Sequence, residues 1–277
     1  MEKNLKHSGT RSTEVCQREI DHAVFAREAA EEGIVLLKNE GLLPLKKDTK
    51  IALLGIGAEK TIKGGTGSGD VNNRESVSIY AGMKEKNAGI VSEEWLKDYH
   101  NRYEQARAEW KEQILEAAKH VDNPFDAYAA NPFAMPDGRA VTNEDIKAAE
   151  AAVYVISRIS GEGKDRRKRK GDYYLSDQEE KDLYFLNEQK IPTVLIINAG
   201  GPVELTDLLA GTENICAILN ISQLGQEGGN AVADILFGEF TPSGKLTTTW
   251  TKRYDDCPAA EEFSYLNGNL ETEEYAE

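Results

Sequence analysis

"AAVYVISRIS", residues 151–160, opens with six apolar residues in a row. A run this apolar suits a β-strand covered on both faces, the situation of a parallel sheet flanked by helices. Similar short runs recur on either side: "IALLGIG" at 51–57, "TVLIINAGG" at 193–201 and "ICAILNIS" at 215–222. All four are read as parallel strands.

Helical patterns fall between them. "SDQEEKDLYFLNEQ" begins with Ser176 and Glu179 at capping-box spacing, and "GQEGGNAVADILFG" carries apolar residues at helical intervals before Gly238. Upstream, "IDHAVFAREAAEEGIVLLKNEGLLPL" gives an Ala/Glu-rich helix ending near Gly33 and then the apolar run Ile34 to Leu37. This alternation predicts an α/β fold, a doubly wound and mostly parallel sheet with right-handed crossovers. From Ser92 to about Val121 the chain reads as one long charged amphipathic helix, and "DNPFDAYAANPFAMPDG" after it as Pro- and Asn-punctuated loop. The expected organisation is a polar arm over 1–20, an α/β domain over 21–258 with a helical insertion at about 92–140, and an acidic linker or tail over 259–277.

The 277 residues carry a formal net charge of −15. Binders of nucleic acid or anionic membrane surfaces present a basic field, so neither partner is expected. Cys16, Cys216 and Cys257 are far apart, without a CxxC pair or a histidine at ligand spacing, which predicts neither a disulfide framework nor a zinc site. The polar N-terminus has no apolar core of a secretory signal, and no apolar segment has the length of a membrane span. A soluble, cytoplasmic protein is the expectation.

"GIGAEKTIKGGTGSGDVN" follows an apolar strand as a phosphate loop does, yet it lacks both the third dinucleotide-motif glycine and the Lys-Ser/Thr of a P-loop. Two other readings stay open: a turn that needs glycine's backbone freedom, and a loop offering backbone amides with the hydroxyls of Thr66 and Ser68 to an uncharged polar ligand. The cationic run from Lys164 to Lys170 reads as a solvated loop for most of its side chains. Glu162 stands apart, between Gly161 and Gly163 and just past a buried strand, where α/β sheets form ligand crevices. It is either an ordinary surface glutamate or a carboxyl aimed at substrate. His7, His22, His100 and His120 are scattered and sit beside no nucleophile. Since crevices form at the carboxyl ends of strands, the loops "GGTGSGD" and "SGEG" are expected on one edge of the sheet.

Four stretches together resemble the α/β sandwich domain of family 3 glycoside hydrolases, the β-glucosidase group. They are "AREAAEEGIVLLKNEGLLPL", "GGTGSGDVN", "SRISGEGKDRRKRKGDYYLS" and "GQEGGNAVADILFGEFTPSGKLTTTW", in the family's order and spacing over residues 21–252. The resemblance implies an (α/β)6-sandwich whose S-G-E-G-x-D-R loop lends the general acid/base, here Glu162, to a partner (β/α)8 barrel that holds the aspartate nucleophile. It further implies a retaining exo-acting β-glucosidase acting on a β-glucoside or oligosaccharide without metal or organic cofactor. Thr66 and Ser68 are then candidate sugar contacts, and Asp165 with Arg166 would lock the base of the loop. No S-D-W nucleophile segment is found, and Lys119-His120 does not match the barrel's K-H pair. This chain is therefore expected to be inactive alone, an N-terminal piece of a member with the sandwich first, or a stand-alone subunit. The alternative is a non-catalytic sugar-binding or scaffold module of the same fold.

Overall fold

The computed structural model describes residues 13–67, 69–161, 166–258 and 260. In chain order the elements are α1 (Gln17–Gly33), β1 (Val35–Asn39), β2 (Lys50–Leu54), the one-turn α2 (Ile56–Glu59), α3 (Ile79–Glu85), β3 (Gly89–Ile90), α4 (Glu93–Ala117), α5 (Pro124–Ala130), β4 (Ala151–Ser157), α6 (Asp177–Glu188), β5 (Thr193–Asn198), α7 (Thr206–Gly211), β6 (Ile215–Asn220) and α8 (Gly228–Leu236). The strands form one sheet in the order β1-β6-β5-β4-β2-β3. Every pairing is parallel except that of β1 with β6.

The four runs read as parallel strands are the four inner strands. All of β4 and β5 is buried, as their unbroken apolar composition requires when helices cover both faces. Each fully buried Val, Ile or Leu there contributes about 1.5–3 kcal/mol. Helix α8 packs against α1 and α3, and α6 packs against α7 and β4.

Three local expectations are refined. Helix α1 starts at Gln17, so the last residues of the expected polar arm are helical. The run after Gly33 is an antiparallel edge strand, with a bulge between Leu36 and Lys38, and Gly244 N donates to Ile34 O at its start. The segment after α4, expected as loop, contains α5: Asn123 Oδ1 accepts from Phe125 N and Pro124 sits at the helix start, where its missing N–H costs nothing. The insertion helix itself and the Ser176/Glu179 capping box form as expected.

Helices α1 and α8 are tied by charge. Asp234, 4 % exposed, accepts from Arg27 Nε and Nη2 at 2.6 and 2.7 Å, and Lys86 Nζ lies 2.6 Å from it. Glu31, 8 % exposed, lies 3.6 Å from Arg27. Burial and then the adjacent Asp234 carboxylate push Glu31 up to about 7 from its ordinary 4.5. The folded chain thus keeps a proton there that the unfolded chain releases above pH 4.5, so this site's stabilisation is full below about pH 4.5 and is lost as pH rises through about 7. Glu31→Gln, which mimics the protonated carboxyl, should match the parent in urea denaturation near pH 5 and exceed it by about 1–2 kcal/mol near pH 8.5. An identical difference at both pH values would contradict this assignment.

Candidate active-site edge

The carboxyl ends of β2, β4, β5 and β6 are joined by one side chain. Asn198, at the end of β5 and fully buried, accepts from Ser157 Oγ (2.8 Å) and Ile62 N (2.7 Å) through Oδ1. Its Nδ2 donates to the carbonyls of Ile62 (3.0 Å) and Ser222 (2.7 Å), so both ends of the amide are fully used. Gly225 N donates to Lys63 O at 2.8 Å. The glycine-rich segment is thereby carried across the ends of β5 and β6 and back to β4.

There it meets the other loop. Thr66 N donates to Ser160 O at 3.1 Å, and Thr66 and Gly161 form a parallel β-bridge. A Cβ on Gly161 would lie 2.3 Å from Thr66 N and O, and one on Gly65 would lie 2.9 Å from Ser160 O. These two glycines serve close backbone approach, whereas Gly55 and Gly67 adopt positive φ of 86° and 89°. The two loops expected on one edge thus touch, with a hundred residues between them.

On the far side of the SGEG loop, Arg166 donates to the Asp172 carboxylate through Nε, to Asp172 O at 2.6 Å and to Pro202 O at 3.2 Å through Nη2. Burial pulls its guanidinium below the ordinary arginine value. Arg167 N donates to the other Asp172 oxygen at 2.8 Å. Arg158, 4 % exposed, uses all five of its donors: two reach Glu179 at 2.7 and 2.6 Å, and three reach the carbonyls of Ser157, Asp172 and Tyr174. Glu179 Oε2 also accepts from Ser176 N at 2.8 Å, so one carboxylate closes the helix cap and neutralises a buried guanidinium.

Of the residues singled out in the sequence, Thr66 and Arg166 are described, and both stand at the roots of these loops. Ser68, Glu162 and Asp165 lie outside the described residues. The carboxylate found on Arg166 is Asp172. Of the basic run, residues 167–170 are exposed as expected whereas Arg166 is half-buried, and two of its lysines are neutralised within the chain: Lys168 meets Asp255 and the Tyr254 ring, and Lys170 meets Asp177 (2.5 Å) and Glu180 (3.1 Å). His100 bonds Glu59 at 2.8 Å, and His120 lies 3.7 Å from Glu116. Among the described residues no cluster of His, Cys, Asp and Glu is placed to hold a metal ion, and no helix is long and apolar enough to cross a membrane.

Asn198, Arg158, Glu179 and Asp172 were not foreseen as parts of this edge. Only Glu179 had a local signal, its capping-box spacing; the others act through partners brought near by the fold. What they build is chemically a rigid frame. Asp172 and Glu179 are both committed to arginines, and the frame holds the two ends of the segment that contains Glu162.

The family model of the glycosyl hydrolase family 3 C-terminal domain matches residues 34–277. β-Glucosidase A of Butyrivibrio fibrisolvens is 31% identical over 265 residues, covering 87% of this chain and 30% of that protein. The periplasmic β-glucosidase of Salmonella typhimurium is 31% identical over 261 residues, covering 89% and 30%. Among solved structures, β-glucosidase 3B of Thermotoga neapolitana in complex with glycerol superposes with a TM-score of 0.67 at 38% identity, covering 87% of this chain and 32% of that one. The chain spans about three-tenths of the length of these relatives. Fold, motif order and these matches agree that the chain belongs to glycosyl hydrolase family 3, as the domain named for the C-terminal part of its members.

Proposed function

We propose that this chain supplies the acid/base carboxyl of a retaining exo-β-glucosidase, with Glu162 in that role. The observation that carries the reading is the anchoring of the S-G-E-G-x-D-R segment at the carboxyl edge of the sheet, Gly161 locked on Thr66 and Arg166 locked on Asp172. The edge that holds these two ends is where α/β folds bind ligands. The relatives named β-glucosidases support the substrate class.

In the first step protonated Glu162 gives its proton to the glycosidic oxygen while an aspartate of a (β/α)8 barrel attacks the anomeric carbon. The aglycone leaves as an alcohol and a glycosyl ester forms on the aspartate. In the second step ionised Glu162 takes a proton from water, which attacks the same carbon and frees the sugar and the aspartate. Two carboxyls about 5–5.5 Å apart suffice, and the scheme uses no cofactor. Thr66 and Ser68 are proposed to meet sugar hydroxyls.

One carboxyl cannot run this double displacement. The chain alone should release no nitrophenol from 4-nitrophenyl β-glucoside above the buffer rate, and turnover should arise when it is joined to a family 3 barrel. Turnover by the chain alone would defeat the scheme.

A further inference from the structure

The glycine-rich segment has little to hold its shape by itself. Gly64, Gly65, Gly67 and Gly69 fall within six residues, and glycine loses more conformational freedom on folding than any other residue. Among the described residues of 63–73 the backbone closes on itself through a single hydrogen bond, Asp70 N to Gly67 O at 3.0 Å. Yet the two limbs of the loop touch: a Cβ on Gly64 would lie 3.0 Å from Gly69 O, and one on Gly69 would lie 3.1 Å from Gly65 O. A side chain must supply the missing ties.

Lys63 supplies them. Its Nζ donates to Val71 O at 2.5 Å and to Asn73 Oδ1 at 2.7 Å, and it lies 3.6 Å from Asp70 Oδ1. An ammonium carries three donors and no acceptor, so this one group joins the base of the loop to three residues of its returning limb. The side chain is 25 % exposed.

Both ends of this staple are fixed in turn. Ahead of it, Asn198 holds Ile62 through both its N–H and its carbonyl, and Lys63 O accepts from Gly225 N. Beyond it, Asn73 Nδ2 donates to Ser76 Oγ at 2.8 Å, Val77 N donates to Gln226 O at 2.8 Å, and Gly229 N donates to Val77 O at 3.1 Å, which anchors the returning limb to the start of α8. Between these anchors stands Thr66, paired with Gly161, the residue before Glu162.

We propose that Lys63 is a positioning residue for the acid/base carboxyl: by stapling the glycine-rich loop it holds Thr66 where Gly161 pairs with it, and so sets the place from which Glu162 reaches the glycosidic oxygen. The inference rests on the acid/base reading. A displacement of about 1 Å at a reacting group costs about 100-fold in rate. Lys63 acts on no reacting atom itself, so its loss should be felt in the step that needs the proton and not in one that does without it.

The test has two arms. Lys63→Met keeps the unbranched stem and removes all three donors, and Asn73→Ala removes one acceptor by a milder change. In the complete enzyme that carries this chain, Lys63→Met should lower kcat/KM for a β-linked disaccharide by about 10- to 100-fold and that for 2,4-dinitrophenyl β-glucoside, whose leaving group departs unprotonated, by less than about 3-fold. Asn73→Ala should show the same selectivity with smaller losses, and it carries the comparison if Lys63→Met fails to fold. The second arm reads the loop directly by amide hydrogen exchange on this chain: the Thr66 N–H, which donates to Ser160 O, should lose about 10-fold or more of its protection in Lys63→Met while the amides of β5 keep theirs.

Equal losses for both substrates would make Lys63 a structural residue only, and unchanged Thr66 protection would cut the link from the staple to Gly161; either result overturns the proposal. Glu162→Ala, assayed beside them, separates the two readings. If it spares the disaccharide while Lys63→Met is selective, the acid is another group held by this pair of loops and Lys63 keeps its role. A selective loss in Glu162→Ala with an unselective one in Lys63→Met leaves the acid in place and removes Lys63.

Discussion

Glu162→Ala, in the complete enzyme that carries this chain, is expected to lower kcat for a β-linked disaccharide by about 10²- to 10⁴-fold, the range that a positioned general acid/base supplies. A sugar alkoxide is a poor leaving group and must be protonated as the bond breaks. A dinitrophenolate leaves without that help, so for an activated aryl glucoside the first step should survive and the second, which needs a base for water, should become limiting. Azide is a nucleophile that needs no base. Adding it should restore turnover of the aryl substrate and yield β-glucosyl azide, which chromatography or NMR identifies. Near-normal turnover of the disaccharide, or azide without effect on the aryl glucoside, would take Glu162 out of this role.

Glu179→Leu should destabilise the fold by about 3–5 kcal/mol, because it leaves the Arg158 guanidinium buried without its counter-charge. That is a large share of the about 5–15 kcal/mol that holds a domain together. The same substitution opens the cap of α6, whose Ser176 N–H loses its acceptor. Adding Arg158→Met removes the orphaned charge, so the double variant should be no less stable than Glu179→Leu despite carrying two core changes. Urea denaturation of the parent, the single and the double variants gives the comparison. A loss below about 1 kcal/mol for Glu179→Leu, or strictly additive losses, would show that the pair is not the anchor described here.

The fold was legible wherever composition alone reports the environment. β4 and β5 are buried on both faces, and their unbroken apolar runs say so without reference to any other segment. The cap of α6 was legible because its partners are three residues apart. The direction of β1 was not, since an apolar run records burial and not which way its neighbour points. Helix α5 was hidden because Asn and Pro mark loops as often as helix starts, and only the formed cap tells them apart. At the edge, the meeting of Thr66 with Gly161 followed from a rule about strand ends. The choice of Asp172 for Arg166, and of Glu179 for Arg158, depends on a chain reversal between 166 and 179 that no local pattern encodes.

The two outermost strands bear on a different question, whether sheets from separate molecules can join. A sheet grows sideways only where an edge strand shows a straight, regular row of free amides and carbonyls to a newcomer. Here β3 is two residues long, too short to template a partner. At the opposite margin the bulge in β1 breaks the regular spacing, Lys38 sits within the strand, and the Gly244 backbone already occupies the carbonyl at its start. Both margins are closed to fibril-like stacking, which lets a chain with so many buried β-branched residues fold beside copies of itself without knitting together.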